Sequence, residues 1–166
     1  LSFGAPEELV RTLNHCNPDA RFIHICWKKE YKRYKKSCFQ LGVNPLDKDA
    51  IDEIIAGITE ELSGVLYYGS SSTAKGLSSK NISASIERSA AGLLHCVQSL
   101  LKEKQQPRLL LLTQNAMNIE HDETVDLSGS LSQGIVKTLA IEHPEFESIQ
   151  LDVDAMGLEA INSVLV

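Results

Sequence analysis

Five short apolar runs, each closed by turn residues or charge, alternate along this chain with segments of helical periodicity, and that alternation restricts the fold more than any single residue does. The runs are Leu1 to Gly4, Phe22 to Trp27, Gly64 to Gly69, Arg108 to Thr113 and Ser148 to Val153. They are apolar almost throughout rather than at every second position, the pattern of strands buried on both faces. Between them, Ile86, Ala90, Leu93, Leu94, Val97, Leu100 and Leu101 recur at three- and four-residue steps and predict one stripe on one long helix. A shorter helix carries Ile51, Ile54, Ile55 and Ile58, with Asp47 or Asp49 as its cap. Pro6, at a first-turn position, opens a helix over Glu7 to Cys16. The expectation is an α/β fold with a doubly wound, mostly parallel sheet of about five strands and helices on both faces. A chain of 166 residues is read as one domain, 1–166, large enough to bury a sizeable core.

Composition removes several function classes. A net charge of -6 argues against a general nucleic-acid binder, and no apolar run reaches the roughly 18 residues of a membrane span. A cytoplasmic protein is expected. Cys16, Cys26, Cys38 and Cys96 lie far apart with no C-x-x-C pair, so they are read as reduced, mostly buried thiols rather than zinc ligands. One segment runs against the overall charge: Lys28-Lys29-Glu30-Tyr31-Lys32-Arg33-Tyr34-Lys35-Lys36. Its tyrosines and cations could grip phosphates and stack bases, but a solvated loop or short helix is the preferred reading. It also holds Tyr31-x-x-x-Lys35, the spacing of the catalytic pair in short-chain reductases. There the pair follows a strand carrying a catalytic serine, late in the chain, and nothing upstream of Tyr31 supplies that strand or a phosphate loop.

In a doubly wound sheet the loop after the first strand decides whether a dinucleotide binds. A working loop needs G-x-G-x-x-G, so that free N–H groups at a helix N-terminus can cradle the pyrophosphate. This chain has Phe3-Gly4-Ala5-Pro6-Glu7-Glu8, with one glycine, a proline lacking a donor, and two acids where phosphates would sit. Gly69-Ser70-Ser71-Ser72-Thr73-Ala74-Lys75-Gly76 is rich in hydroxyls, but lacks the order of a phosphate loop. His121, Asp122, Glu123 and Asp126 are read as a solvated polar turn rather than a metal site. His24 and Cys26 share one strand face and His95-Cys96 lies mid-helix; neither pair shows a base-and-orienter set for nucleophilic catalysis. No catalytic, cofactor-binding or metal-binding residue is assigned.

The run from Pro107 to Asp154 joins a buried strand, a polar loop, a helix ending in Glu142-His143-Pro144-Glu145 and a strand ending in Leu-Asp-Val-Asp. In order, Arg108, Thr113, Gly134, Ala140, Glu142, His143, Pro144, Glu145 and Asp152 resemble the structural subdomain of modular polyketide synthase ketoreductases, while Gln114-Asn115 replaces that family's usual Arg-Gly. Weaker matches extend the resemblance over nearly the whole chain: Leu1 to Gly4, Ala20 to Ile25 and Gly64 to Gly69 as the first three strands, and the helix through Leu94, Val97, Gln98 and Leu100. The Pro144 ring is expected to stop the helix after Ala140, with His143 bonding its open carbonyls.

The resemblance implies a truncated, Rossmann-like short-chain-dehydrogenase fold that has shed its cofactor and catalytic residues. Its implied work is to pack, as a non-catalytic scaffold, against a catalytic half downstream in the same polypeptide. That half would hold NADPH and the Lys, Ser, Tyr and Asn set, and would reduce the β-keto group of a chain carried as a thioester on an acyl carrier protein. The chain alone is not expected to be an enzyme. The implied partners are that half, neighbouring synthase domains and the carrier protein, in a multifunctional enzyme of secondary metabolism. The alternatives are a pseudo-ketoreductase scaffold holding a methyltransferase or dehydratase, a flavodoxin-like or receiver-like binding module, and a small module binding through Lys28 to Lys36. A receiver would need paired acids after the first strand, an Asp after the third and a Lys after the fifth, where this chain has Ala5-Pro6, Ser70 and Asp154.

Overall fold

The computed structural model describes residues 1–16, 23–27, 33–34, 39–69, 79–117 and 126–153. Its strands are β1 (Ser2–Phe3), β2 (Ile23–Trp27), β3 (Arg33–Tyr34), β4 (Phe39–Val43), β5 (Gly64–Tyr68), β6 (Arg108–Gln114) and β7 (Ile149–Val153). They form one sheet in the order β3-β4-β2-β1-β5-β6-β7. Every pairing is parallel except that of β3 with β4. All five expected strands are present, and two more join them: β4 beside β2, and the two-residue β3, which lies inside the basic segment and closes that edge antiparallel.

The order of the six parallel strands is that of the Rossmann sheet, in which the first three strands run outward one way and the last three the other. A flavodoxin-like or receiver-like sheet has a different order, so that alternative is discarded. The switch in direction falls between β1 and β5, whose register sets Ser2 against Leu66 and Phe3 against Tyr67.

Because side chains alternate across the sheet, each inner strand feeds two cores. On one face Phe3, Ile25, Val65, Tyr67, Leu109 and Leu111 meet α2 (Lys48–Ala56), α4 (Gly92–Lys102) and α5 (Leu127–Glu142). On the other, Leu66, Leu110 and Leu112 meet Leu9, Val10 and Leu13 of α1 (Glu7–Cys16). Asp47 caps α2 by accepting a hydrogen bond from the Ala50 amide at 3.0 Å, as its position before the apolar repeat predicts.

The long helix departs from its expected form. α3 (Ser79–Ile86) passes through a π-helical turn, Glu87–Ala91, before continuing as α4. One extra residue in a turn rotates everything before it relative to everything after it. Leu93, Val97 and Leu100 face the core while Ile86, before the turn, is rotated outward; Leu94, expected in the same stripe, is exposed as well. The carbonyls in the widened turn find side-chain donors: the Tyr67 hydroxyl bonds Arg88 O, and Ser132 Oγ of α5 donates to Ser89 O at 2.8 Å. Burial pushes the Tyr67 hydroxyl pKa up, which keeps it a donor.

α2 is clamped to α4 by Asp52. Its carboxylate accepts from the Ser99 hydroxyl, from Lys48 Nζ at 2.9 Å and from Lys102 Nζ at 3.0 Å. The Ser99 hydrogen bond first, then the two ammonium groups, hold this carboxyl well below the usual range. Its contribution to stability is thus complete above about pH 4, where the unfolded carboxylate is ionised, and is lost as the pH falls toward the depressed folded value. Urea unfolding of Asp52→Asn is expected to show a loss of stability at neutral pH that shrinks steadily below about pH 3. A penalty independent of pH would contradict this account of the clamp.

Candidate functional site

The carboxyl ends of β1 and β5, at the switch point, are where a sheet of this order presents a ligand crevice. Here the crevice is built around Trp27, the last residue of β2. Its indole stacks on Phe3, with centroids 5.6 Å apart, and tilts against Tyr67 at 5.8 Å. It also lies flat against Gly4, whose φ of +68° is a left-handed conformation that glycine adopts without strain. A Cβ at Gly4 would stand 2.3 Å from Trp27 Nε1, and one at Gly92 would stand 3.2 Å from the far edge of the indole. The backbone turn after β1 and the start of α4 have thus both closed onto this ring. The indole N–H is buried and has no hydrogen-bond partner among the described residues.

Further along the same edge, β6 and β7 hold a polar cluster. Asp152 accepts from Thr113 Oγ1 at 2.7 Å and from the amides of Ala116 and Met117 at 3.0 and 2.9 Å. Gln133 of α5 donates to Thr113 Oγ1 at 3.3 Å. Asn115 takes a left-handed φ of 52° in the turn between them, a conformation asparagine tolerates better than most residues. These bonds fold the start of the β6–α5 connection back over the strand ends and commit both oxygens of Asp152 to structural hydrogen bonds. α5, the helix after β6, contains no tyrosine, and its one lysine, Lys137, is exposed.

α5 also carries the most unusual surface of the chain. Its inward positions include Ser128, Gly129, Ser132 and Gln133, all buried. Gly129 permits the close approach, since a Cβ there would come within 2.6 Å of Ala116 Cβ. Its outward line reads Leu127, Leu131, Gly134, Thr138 and Ile141 at steps of four, three, four and three, one continuous ridge. Leu127 is 64% exposed and Ile141 83% exposed. Nothing lies within 4 Å of where a Gly134 Cβ would be. A helix of a self-sufficient domain turns its apolar stripe inward; the N-terminal half of α5 does the reverse. The outward-turned Ile86 and Leu94 belong to the helix beside it, joined to α5 by the Ser132–Ser89 hydrogen bond.

The sequence-derived candidates are dispersed. Tyr31, Lys35, most of the Lys28–Lys36 segment, the 70–78 stretch, His121, Asp122, Glu123 and Asp154 lie outside the described residues. Asp126 is the N-cap of α5, accepting from the Ser128 amide at 3.0 Å. Among the described residues no three of His, Cys, Asp and Glu gather as metal ligands. Also among them, no helix is long and apolar enough to cross a membrane. His95 Nδ1 is hydrogen-bonded to Pro45 O at 3.0 Å, and burial pushes the Cys96 thiol pKa up.

His143 differs from its expected role. α5 runs on to Glu142, and it is the His143 backbone N–H that donates to Leu139 O at 2.7 Å. The ring instead contacts Glu145 Oε1 at 3.0 Å and meets Phe146 edge-on. His24 brought a larger surprise. Ser2, set opposite it by the β1–β2 register, places Oγ 3.0 Å from His24 Nδ1, while Cys26 Sγ lies 3.1 Å from Nε2. An orienting group does therefore exist; it sits on another strand, where only the register brings it near.

Residues 39–165, about three quarters of the chain, match the family described as polyketide synthase extender module SpnB, Rossmann fold domain. The chain belongs to this family. No curated protein is significantly similar to it in sequence. Solved structures share its fold at low identity. One is a multidomain structure of a keto acid-selecting NRPS module with adenylation, ketoreductase and pseudo Asub domains (TM-score 0.84, 14% identity, 99% of this chain). A second is an N-terminal ketoreductase from the macrolactin assembly line (0.74, 13%, 99%). A third is a short-chain dehydrogenase/reductase from Vibrio parahaemolyticus (0.69, 9%, 99%). The chain spans 15%, 35% and 89% of those three chains, respectively. Gln114-Asn115, standing where the resemblance leads one to expect Arg-Gly, fits the turn at the end of β6. Asn115 occupies a left-handed position that glycine would also suit, and Gln114 Oε1 accepts the Tyr68 hydroxyl at 3.0 Å.

Proposed function

We propose that this Rossmann domain, 1–166, is a non-catalytic scaffold of a polyketide synthase module. In this reading it packs through the α5 face against a catalytic ketoreductase half in the same polypeptide and stabilises it. The observation that carries the reading is the exposed ridge of Leu127, Leu131 and Ile141 on α5, with Ser132 and Gln133 turned inside in its N-terminal half. Exposed apolar ridges of this kind mark surfaces that a partner covers.

Catalysis belongs to the partner half. A reductase needs an acid to protonate the developing alkoxide, and the helix that follows β6 has no tyrosine to supply one. The carboxyl end of β6 carries Thr113, whose hydroxyl is committed to Asp152. NADPH is likewise assigned to the partner. Its pyrophosphate would have to approach the backbone after β1, where Trp27 already lies against Gly4, and Pro6 offers no N–H. The residues present do not fit that cofactor. Titration of the isolated chain with NADPH or NADP+ is accordingly expected to give no binding at micromolar concentrations. A dissociation constant in the micromolar range or tighter would reverse the assignment.

The direct test is to express the following ketoreductase half separately and mix it with this chain. Co-elution, a higher unfolding temperature of the catalytic half and faster reduction of a simple β-keto thioester are expected. A catalytic half that is equally stable and active alone, and that elutes apart from this chain, would sink the scaffold reading.

A further inference from the structure

We infer that Cys26 is a nucleophilic thiol served by His24 as general base and by Ser2 as the residue that positions the imidazole. The three form the chain's site for exchange with low-molecular-weight disulfides. The inference does not depend on the scaffold reading, because the row lies on the opposite side of the sheet from α5.

The row is built by strand geometry. His24 and Cys26 are two residues apart on β2 and project to the same face. The parallel pairing of β1 with β2 sets Ser2 opposite His24 on that face. Phe3 and Ile25 project to the other face, into the main core. Ser2 and His24 are buried, at 2% exposure each, whereas Cys26 is only partly buried. Cys26 is therefore the least buried member of the row, with the base and its orienter deeper than it.

Cys26 is also the penultimate residue of β2, at the edge of the sheet where open α/β folds bring their ligands. With the proton on Nδ1 donated to Ser2 Oγ, the lone pair of Nε2 faces the Cys26 S–H at 3.1 Å. That is the arrangement of nucleophile, base and third group by which a thiol is activated. A buried imidazole held at both nitrogens has little rotational freedom, so the base is already oriented when a disulfide arrives.

The step balances without any further reagent. As Cys26 Sγ attacks one sulfur of the disulfide, its proton moves to His24 Nε2, the S–S bond breaks and a new S–S bond forms to Cys26. The departing thiolate takes the proton back from Nε2 and leaves as a thiol. Cys26 is oxidised to the mixed disulfide and half of the incoming disulfide is reduced.

The test uses the full chain with Cys16 and Cys38 changed to serine and Cys96 retained as a fully buried internal control. The rate is followed with dithiobis(nitrobenzoate), and the adduct with oxidised glutathione is located by mass spectrometry. A single fast phase is expected, absent in Cys26→Ser and slowed on the order of tenfold or more in His24→Gln, which keeps a hydrogen-bonding side chain without a base. Ser2→Ala is expected to fall between them and Ser2→Thr to restore the rate, a pattern that mere loss of packing would not produce. A fast phase surviving in Cys26→Ser, or a His24→Gln rate equal to the parent's, would overturn the inference. Should His24→Gln fail to fold, the parent decides alone. Cys26 must react faster in the folded chain than in the same chain unfolded in urea, and equal or slower reaction refutes the site.

Discussion

Leu131→Asp combined with Ile141→Asp is expected to weaken association with the ketoreductase half by at least about a hundredfold and to leave the fold of this chain intact. Covering an aliphatic side chain of this size is worth roughly 1.5–3 kcal/mol, so losing two from one interface amounts to several kcal/mol, and each 1.4 kcal/mol is tenfold in affinity. Both side chains point away from the core, Ile141 almost wholly, so the unfolding temperature should hardly move. The isolated parent chain should self-associate as its concentration rises, since the ridge is exposed, and the double variant should remain a monomer. Binding measured by titration calorimetry and mass measured by light scattering separate the two effects. Unchanged affinity with the ridge charged would mean that the partner docks elsewhere.

Trp27→Ala is expected to cost about 3 kcal/mol, the lower part of the range for removing a large aromatic side chain, because the indole is only partly buried. It packs against Phe3, Tyr67, Gly4 and Gly92 at once. The vacated space lies beside the backbone where a dinucleotide's pyrophosphate would run, so the variant gives the cofactor its best opportunity. Binding of NADP+ is still expected to be absent, because the loop after β1 keeps one glycine, Pro6 and no donor set. Chemical denaturation gives the stability and a fluorescence titration the binding. Micromolar binding in the variant alone would show that the indole by itself bars the cofactor from an otherwise competent site.

Much of this architecture is legible in the linear order of residues. A strand buried on both faces has no choice but to be apolar along its length, so Val65 to Tyr67 and Leu109 to Leu112 declare themselves, and so do the helices between them. β4 was harder to read because Gln40 and Gly42 interrupt its apolar run. Its pairing with β2 is what makes it a strand. The spaced residues from Arg108 to Asp152 pointed to the family because their types answer local needs of the chain: a polar cap, a stop at Pro144, a short acceptor at Asp152.

Other features depend on distances between residues remote in sequence. The π-helical turn at Glu87–Ala91 needs Tyr67 and Ser132 to supply donors to its carbonyls, and it turns Ile86 away from the stripe of Leu93, Val97 and Leu100. The meeting of Ser2 with His24 follows from a strand register that no local pattern states. The ridge on α5 is written in the sequence as a helix apolar on more than one side, but periodicity cannot say which side the sheet takes. The sequence by itself determined five of the seven strands, the helices and the kind of sheet they make, because those follow from local preference and burial. Only the tertiary structure decided that α5 turns Ser132 and Gln133 inward, because Gly129 lets that side close on β6 and the π-turn carbonyl accepts the serine, leaving Leu127, Leu131 and Ile141 on the outer side.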